Sequence, residues 1–123
     1  MTGEELVERA EAASALAYAP YSGYRVGATL LLKDGTLVDG VNVENAAYPL
    51  GVCAERTAIA RAASEGVRPG DVDAVGITAS PCGGCRQWLY EWKVERVYFR
   101  REDGSIAEYS SAAALLPDTW NLP

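Results

Sequence analysis

Apolar positions recur along this 123-residue chain at two different spacings, and the switches between them divide it into elements. Leu6, Ala10, Ala13 and Ala17 fall on one stripe of a helix. Ahead of them Thr2-Gly3-Glu4-Glu5 has the form of a capping box, in which Thr2 accepts from the Glu5 amide while Glu5 reaches back. This helix is predicted to run to about Ala19, where Pro20 stops it, and Pro20-Tyr21-Ser22-Gly23 reads as a loop. From Arg25 the period changes. Val26 to Leu32 is short, apolar and β-prone, Asp34-Gly35 offers a tight turn, and Thr36 to Val43 returns as a second strand. Asn42 to Leu50 has no clear period and reads as a loop, the kind of segment that holds ligands beyond strand ends.

Val52 to Glu65 is helical, with Ala54, Ala58 and Ala62 at spacing four. Such small residues suit a helix lying close against another layer. Gly66, Pro69 and Gly70 end it. Val72 to Ala79 is a strand buried on at least one face, and Pro81 then breaks the chain. Cys85 to Trp92 is a further helix, Val94 to Phe99 a strand, Asp103-Gly104 a turn and Ser105 to Tyr109 a last strand. Ser110-Ser111 is expected to cap a short Ala/Leu helix that Pro117 ends. Strands interleaved with helices in this order predict an α/β fold, a mixed five-stranded sheet with helices on both faces. With no internal repeat, linker or low-complexity stretch, residues 1–123 are expected to form a single domain.

Charge narrows the partners. The net charge is −6, with 11 basic against 17 acidic residues, so the basic footprint of a protein that tracks a phosphate backbone is missing. A free small molecule is the expected partner, and neither a nucleic-acid polymer nor a membrane is. No apolar run approaches the length of a membrane helix, and the acidic start lacks the order of a signal peptide. The expected location is therefore the cytoplasm, where thiols stay reduced.

Histidine is absent, which removes the commonest general base and metal ligand. Three cysteines remain, Cys53, Cys82 and Cys85, an odd number that excludes a complete internal disulfide framework. Taken alone, Cys82-Gly83-Gly84-Cys85 is ambiguous between a redox pair, half a zinc site and chance. Both cysteine-bearing turns fall at predicted helix N-termini, where free amides and the positive dipole end favour thiolate. Three protein ligands with a place left for water is the pattern of a catalytic zinc site; four is that of a structural one. Three thiolates on Zn²⁺ leave a net charge of −1, which a nearby cation should offset. Arg56 and Arg86 each directly follow a site residue, and Arg56 is the expected donor to the sulfurs. Its alternative reading is a surface helix arginine. Glu55, two residues past Cys53, can take a proton from water and return it to substrate. Its alternative reading is a first-turn glutamate favoured by the helix dipole.

Four blocks carry a resemblance: Asn42-Val43-Glu44-Asn45-Ala46, Tyr48-Pro49-Leu50, Cys53-Ala54-Glu55-Arg56-Thr57-Ala58-Ile59 and Ser80-Pro81-Cys82-Gly83-Gly84-Cys85-Arg86-Gln87. On them the sequence resembles the cytidine deaminase family, in its small homotetrameric, three-cysteine branch. The likeness covers nearly the whole chain. It implies a three-layer α-β-α sandwich and one Zn²⁺ per chain on Cys53, Cys82 and Cys85. The implied reaction is hydrolytic deamination of cytidine and 2′-deoxycytidine in pyrimidine salvage; zinc deaminases are themselves the worked case of this chemistry. Glu55 is implied as the proton shuttle between water, N3 and the departing ammonia. The Ala54 amide would donate to the pyrimidine O2, and the Ser80 carbonyl would accept from the amino group. Asn42 and Glu44 would hold the ribose hydroxyls by charge-assisted hydrogen bonds, and Glu44 would repel a phosphate on the sugar. Ala46 and Tyr48 resemble positions that reach a neighbouring subunit's site. Trp120 stands where the family usually has a phenylalanine closing the pocket from another subunit, so a homotetramer with shared sites is implied. Tyr24 stands for a common Phe, Arg25 for a frequent proline and Trp88 for an aliphatic residue.

Two other readings stay open on the sequence. One is a deaminase of a different aminopyrimidine nucleoside on the same fold. The other is a structural zinc module without catalysis.

Overall fold

The computed structural model describes residues 1–122. Helix α1 (Gly3–Ala13) begins with both halves of the predicted capping box. The Glu5 amide donates to Thr2 Oγ1 at 3.1 Å and the Thr2 amide to Glu5 Oε1 at 3.0 Å. Its buried stripe is Leu6, Val7 and Ala10. The helix is shorter than its periodicity predicts: a 3-10 turn, Ser14–Leu16, follows, and Ala17 is extended. The cause is remote in sequence. Tyr18 donates its amide to the Asn42 carbonyl at 3.0 Å and accepts from the Glu44 amide at 2.8 Å. Those backbone bonds compete with helical ones and draw the chain out before Pro20 is reached.

Five strands form one sheet in the order β2-β1-β3-β4-β5. They are β1 (Gly27–Leu32), β2 (Leu37–Val41), β3 (Val72–Ile77), β4 (Arg96–Arg100) and β5 (Ile106–Tyr109). The β3–β4 pair is parallel and the other pairs are antiparallel. A mixed sheet follows because β1–β2 and β4–β5 are hairpins, whereas β3 reaches β4 through a helical crossover. That crossover carries α3 (Gly83–Glu91); α2 (Ala54–Ser64) lies between β2 and β3.

The faces of the sheet sort the side chains by the two-residue period of a strand. On one face Leu6 and Val7 of α1 pack with Ala74 and Tyr98. On the other, Val75 and Ile77 of β3 pack with Ala58, Ile59 and Ala62 of α2 and with Leu89 and Trp92. The result is a three-layer α-β-α sandwich with the sheet in the middle. Helix α2 lies unusually close: a Cβ on Gly40 would sit 2.4 Å from the Ala58 nitrogen and 2.5 Å from the Ala54 carbonyl oxygen. The glycine in β2 and the alanines at spacing four in α2 are two halves of one close approach. At its far end α2 closes with Gly66 at φ +95, where the Val67 amide bonds the Ala62 carbonyl and the Gly66 amide the Ala63 carbonyl.

The predicted last helix is instead a 3-10 turn, Ala112–Leu115, and the Ser111 side chain makes no capping bond. Too few residues separate Ser111 from Pro117 to complete α-helical bonds, so three-residue bonds such as Leu116 N to Ala113 O form instead. Ala112 and Leu115 are still buried. Among the described residues no helix is long and apolar enough to cross a membrane.

Candidate active site and metal centre

The close packing of α2 on the sheet fixes where its N-terminus points, and α3 begins beside it. Cys53 is the N-cap residue of α2 and Cys82 that of α3, both with extended backbone; Cys85 lies in the first turn of α3. The Cys85 amide donates to Cys82 Sγ at 3.4 Å. The three sulfurs all lie within 4.8 Å of one another, and Cys53 Sγ is 4.0 Å from Cys82 Sγ. No sulfur is bonded to another. Tetrahedral zinc with bonds of about 2.3 Å needs sulfurs about 3.8 Å apart, so the trio fits such an ion with shifts of about 1 Å or less.

The electrostatics fit as well. With no cation counted, burial pushes the Cys85 and Cys53 thiols up. Burial also raises Cys82, but the Cys85 amide and the neighbouring thiols outweigh it and bring Cys82 down. Sulfurs this crowded would become thiolates together when a divalent cation joins them. Arg56 is the cation beside these sulfurs. Its Nη2 is 3.9 Å from Cys82 Sγ, and burial, which opposes its charge, is outweighed by the sulfurs around it. Arg56 Nε is buried with no hydrogen-bond partner. Arg86 goes elsewhere. Its guanidinium donates to the Pro81 carbonyl at 2.9 Å, the Leu115 carbonyl at 3.1 Å and Ser80 Oγ at 3.1 Å. It braces the turn carrying Cys82 against the C-terminal segment.

Cys53 and Cys82 open onto a cavity of about 350 Å³, while Cys85 is fully buried and does not line it. Tyr24, Asn42, Glu44, Tyr48, Cys53, Ala54, Glu55, Ser80 and Cys82 all line it. Glu55 is 3% exposed, and burial pushes its carboxyl up against the opposing pull of its own amide and of Cys85 and Arg56. A carboxyl so placed changes protonation state more readily near neutrality than an exposed one. Ala54 is buried at the start of α2, where its amide has no helical acceptor.

Asn42 and Glu44 are already partly engaged. Asn42 Oδ1 accepts from the Val26 amide at 2.8 Å, and its Nδ2 donates to the Tyr24 carbonyl at 2.9 Å. Glu44 Oε1 accepts from the Tyr21 amide at 2.9 Å and the Ser22 amide at 3.1 Å, while Oε2 accepts from the Ser22 hydroxyl. These bonds from Ser22 and Tyr21 lower the Glu44 carboxyl. Asn42 keeps one N–H and one lone pair free, and Glu44 keeps one acceptor site. Both therefore retain capacity for a ligand hydroxyl.

Ala46 and Trp120 do not line this cavity; both are exposed, Trp120 at 68%. Tyr48 lines it yet is 77% exposed. Sequence reasoning passed over Val26, Val43, Val52 and Ala79, which form apolar walls. Val43 and Val52 pair through two 2.9 Å backbone bonds, so Val52, predicted as the first residue of the helix, is held by the preceding loop and α2 begins only at Ala54. The β-branched Val43 and Val52 on either side of Tyr48-Pro49 were the available signal.

A three-layer α/β/α protein with an open three-sulfur metal centre and a buried carboxylate in one pocket belongs to the class of zinc-dependent hydrolytic enzymes. Residues 1–101 match the family model described as the cytidine and deoxycytidylate deaminase zinc-binding region. The chain is 43% identical to the cytidine deaminase of Halalkalibacterium halodurans, over 98% of this chain and 95% of that one. It is 41% identical to that of Sporosarcina psychrophila, over 98% and 93%. The crystal structure of the Burkholderia pseudomallei cytidine deaminase superposes with a TM-score of 0.89 at 42% identity, covering 98% of this chain and all of that one. The chain belongs to the cytidine and deoxycytidylate deaminase family.

Proposed function

We propose that the protein hydrolyses cytidine and 2′-deoxycytidine to uridine and 2′-deoxyuridine, releasing ammonia. The observation that carries this is Glu55, buried in the same cavity that Cys53 and Cys82 line, with the Cys85 sulfur within 4.8 Å of theirs. A zinc ion held by Cys53, Cys82 and Cys85 supplies a Lewis acid that makes water a nucleophile near neutral pH. The Glu55 carboxylate takes a proton from the water that adds to C4 and delivers it to N3. The remaining hydroxyl proton then passes through Glu55 to the amino group as the C4–N bond breaks, and ammonia leaves. The Ala54 amide orients the ring at O2, and the Ser80 carbonyl accepts from the amino group. Arg56 holds the charge of the sulfurs in check.

The sugar end selects a nucleoside. The free sites on Asn42 and Glu44 suit hydroxyl groups, and the lowered Glu44 carboxyl stays ionised at neutral pH. A 5′-phosphate brought near it meets like charge. Tyr24 covers the same end of the cavity.

The assembly is a homotetramer in this reading, with Ala46, Tyr48 and Trp120 reaching a neighbour's site. Exposed Tyr21, Tyr48, Leu50 and Trp120 support it, because that much apolar surface is unusual on a lone chain. A reducing cytoplasm is the proposed location, where three free thiols persist.

The test is a zinc count per chain taken together with an absorbance assay on cytidine. One zinc per chain and loss of cytidine absorbance are expected. Metal-free folded protein, or zinc-loaded protein inert towards cytidine and deoxycytidine, overturns the reading.

A further inference from the structure

Glu44 sits in a small hydrogen-bonded relay whose central member plays no part in the reaction as described. The Ser22 hydroxyl donates to Glu44 Oε2 and accepts from the Tyr24 amide at 3.0 Å. A serine hydroxyl has one proton to give. The Tyr24 N–H can only donate and the ionised Glu44 carboxylate can only accept, so that proton is aimed at Glu44. Oε1 is pinned by the Tyr21 and Ser22 amides, so without the Ser22 hydroxyl the carboxylate is held at one oxygen only. Oε2 is the oxygen with an acceptor site left, and the Ser22 hydroxyl fixes the direction of that site. The same hydroxyl ties down the backbone of Tyr24, whose carbonyl is held from the other side by Asn42. The loop over the cavity and the two sugar-binding side chains are thus one hydrogen-bonded unit, with Ser22 as its joint.

We propose that Ser22 is a specificity-determining positioning residue: its hydroxyl orients Glu44 Oε2 for the sugar 3′-hydroxyl and couples that orientation to the Tyr24 backbone. This rests on the reading of Glu44 as a sugar-hydroxyl acceptor. A side chain that only stabilised the loop would affect all substrates alike. A side chain that orients Oε2 affects only substrates that present the 3′-hydroxyl.

The test compares 2′-deoxycytidine with 2′,3′-dideoxycytidine, which differ by that one hydroxyl, on the zinc-loaded full chain. Ser22→Ala is expected to raise KM for deoxycytidine about tenfold, the size of one hydrogen bond to a charged group, with kcat little changed. Its KM for dideoxycytidine should move less than about twofold. Ser22→Thr, which keeps the hydroxyl on an exposed position, should restore the parent KM. Glu44→Gln separates the two layers of the argument. If Glu44→Gln abolishes the preference for deoxycytidine while Ser22→Ala leaves it intact, Ser22 has no such role and the sugar reading stands. If Ser22→Ala weakens both substrates equally, the role is loop stability alone and the proposal falls. If Glu44→Gln leaves the preference intact, the sugar reading itself falls and takes the proposal with it.

Discussion

Replacing Gly40 by alanine is the sharpest test of how the centre is positioned. The added Cβ would lie 2.4 Å from the Ala58 nitrogen and 2.5 Å from the Ala54 carbonyl oxygen, where ordinary contact begins at 3.4 Å. The neighbours are helix backbone and not a flexible side-chain tip. Relief therefore requires α2 to move off the sheet by about 1 Å, or β2 to buckle by the same amount. Along α2, Ala54, Ala58, Ile59 and Ala62 are all fully buried, so that motion opens a gap beneath four side chains. Overpacking against a rigid partner costs about 3 kcal/mol. For a chain of this size that is a fall of about 10 °C in melting temperature. The assay is thermal and urea unfolding of metal-free Gly40→Ala at fixed protein concentration. Gly51→Ala serves as the control: its Cβ would meet nothing closer than 3.5 Å, and it should stay within about 0.5 kcal/mol of the parent. Because Cys53 and Glu55 ride on the same helix start, Gly40→Ala should also bind zinc more weakly than Gly51→Ala. A Gly40→Ala protein within about 0.5 kcal/mol of the parent would refute the claim that close packing of α2 sets the site.

Glu55→Gln should keep its zinc and lose about a thousandfold or more of its turnover of cytidine, measured by absorbance; near-normal turnover removes the proton-shuttle role. Arg56→Ala should surrender zinc to a chelator faster than the parent and lose activity, since the charge of the sulfurs is then unopposed. Unchanged metal content and rate would place the compensating charge elsewhere. Asp39 tests a surface network by pH. Burial raises its carboxyl, but bonds from Arg9 at 3.1 Å and Thr29 at 2.7 Å, with the charges of Arg9 and Arg61, outweigh it and leave the carboxyl lowered. A lowered folded-state carboxyl stabilises above its unfolded pKa and loses that contribution as pH falls through the folded value. Asp39→Asn should therefore cost about 1 kcal/mol at pH 7, and the gap should close as pH drops below about 4, read by urea unfolding at each pH. A gap that stays constant down to pH 2 would show that the charge is not what matters.

The chain order of elements was legible because each carries a local signature. The capping box, the Asp34-Gly35 turn and the short β-prone run of β3 all depend on neighbours within a few residues. The metal centre was legible for the same reason: two sulfurs share one turn, and Cys53 with Glu55 occupies one helix start. What escaped depends on distant partners. The end of α1 is set by the pairing of Tyr18 with residues 42–44, which no local period announces. Arg86 finds the Leu115 carbonyl 29 residues away, and Glu44 finds Ser22 across 22. A resemblance to known deaminases could name Glu44, but not the hydroxyl that aims it. The misjudged last helix has another cause: Ala and Leu favour helix, yet the distance from Ser111 to Pro117 leaves no room for one.

Cys53 and Cys82 stand 29 positions apart in the chain, one at the start of α2 and the other at the start of α3. An ion gripped by both acts as a clasp on a loop of that length, and closing such a loop is worth about 3 kcal/mol of chain entropy to the folded form. Supply of the metal thereby governs how long the molecule survives as well as whether it works. A cell starved of zinc would hold a slacker chain, open sooner to proteases between the clasped ends.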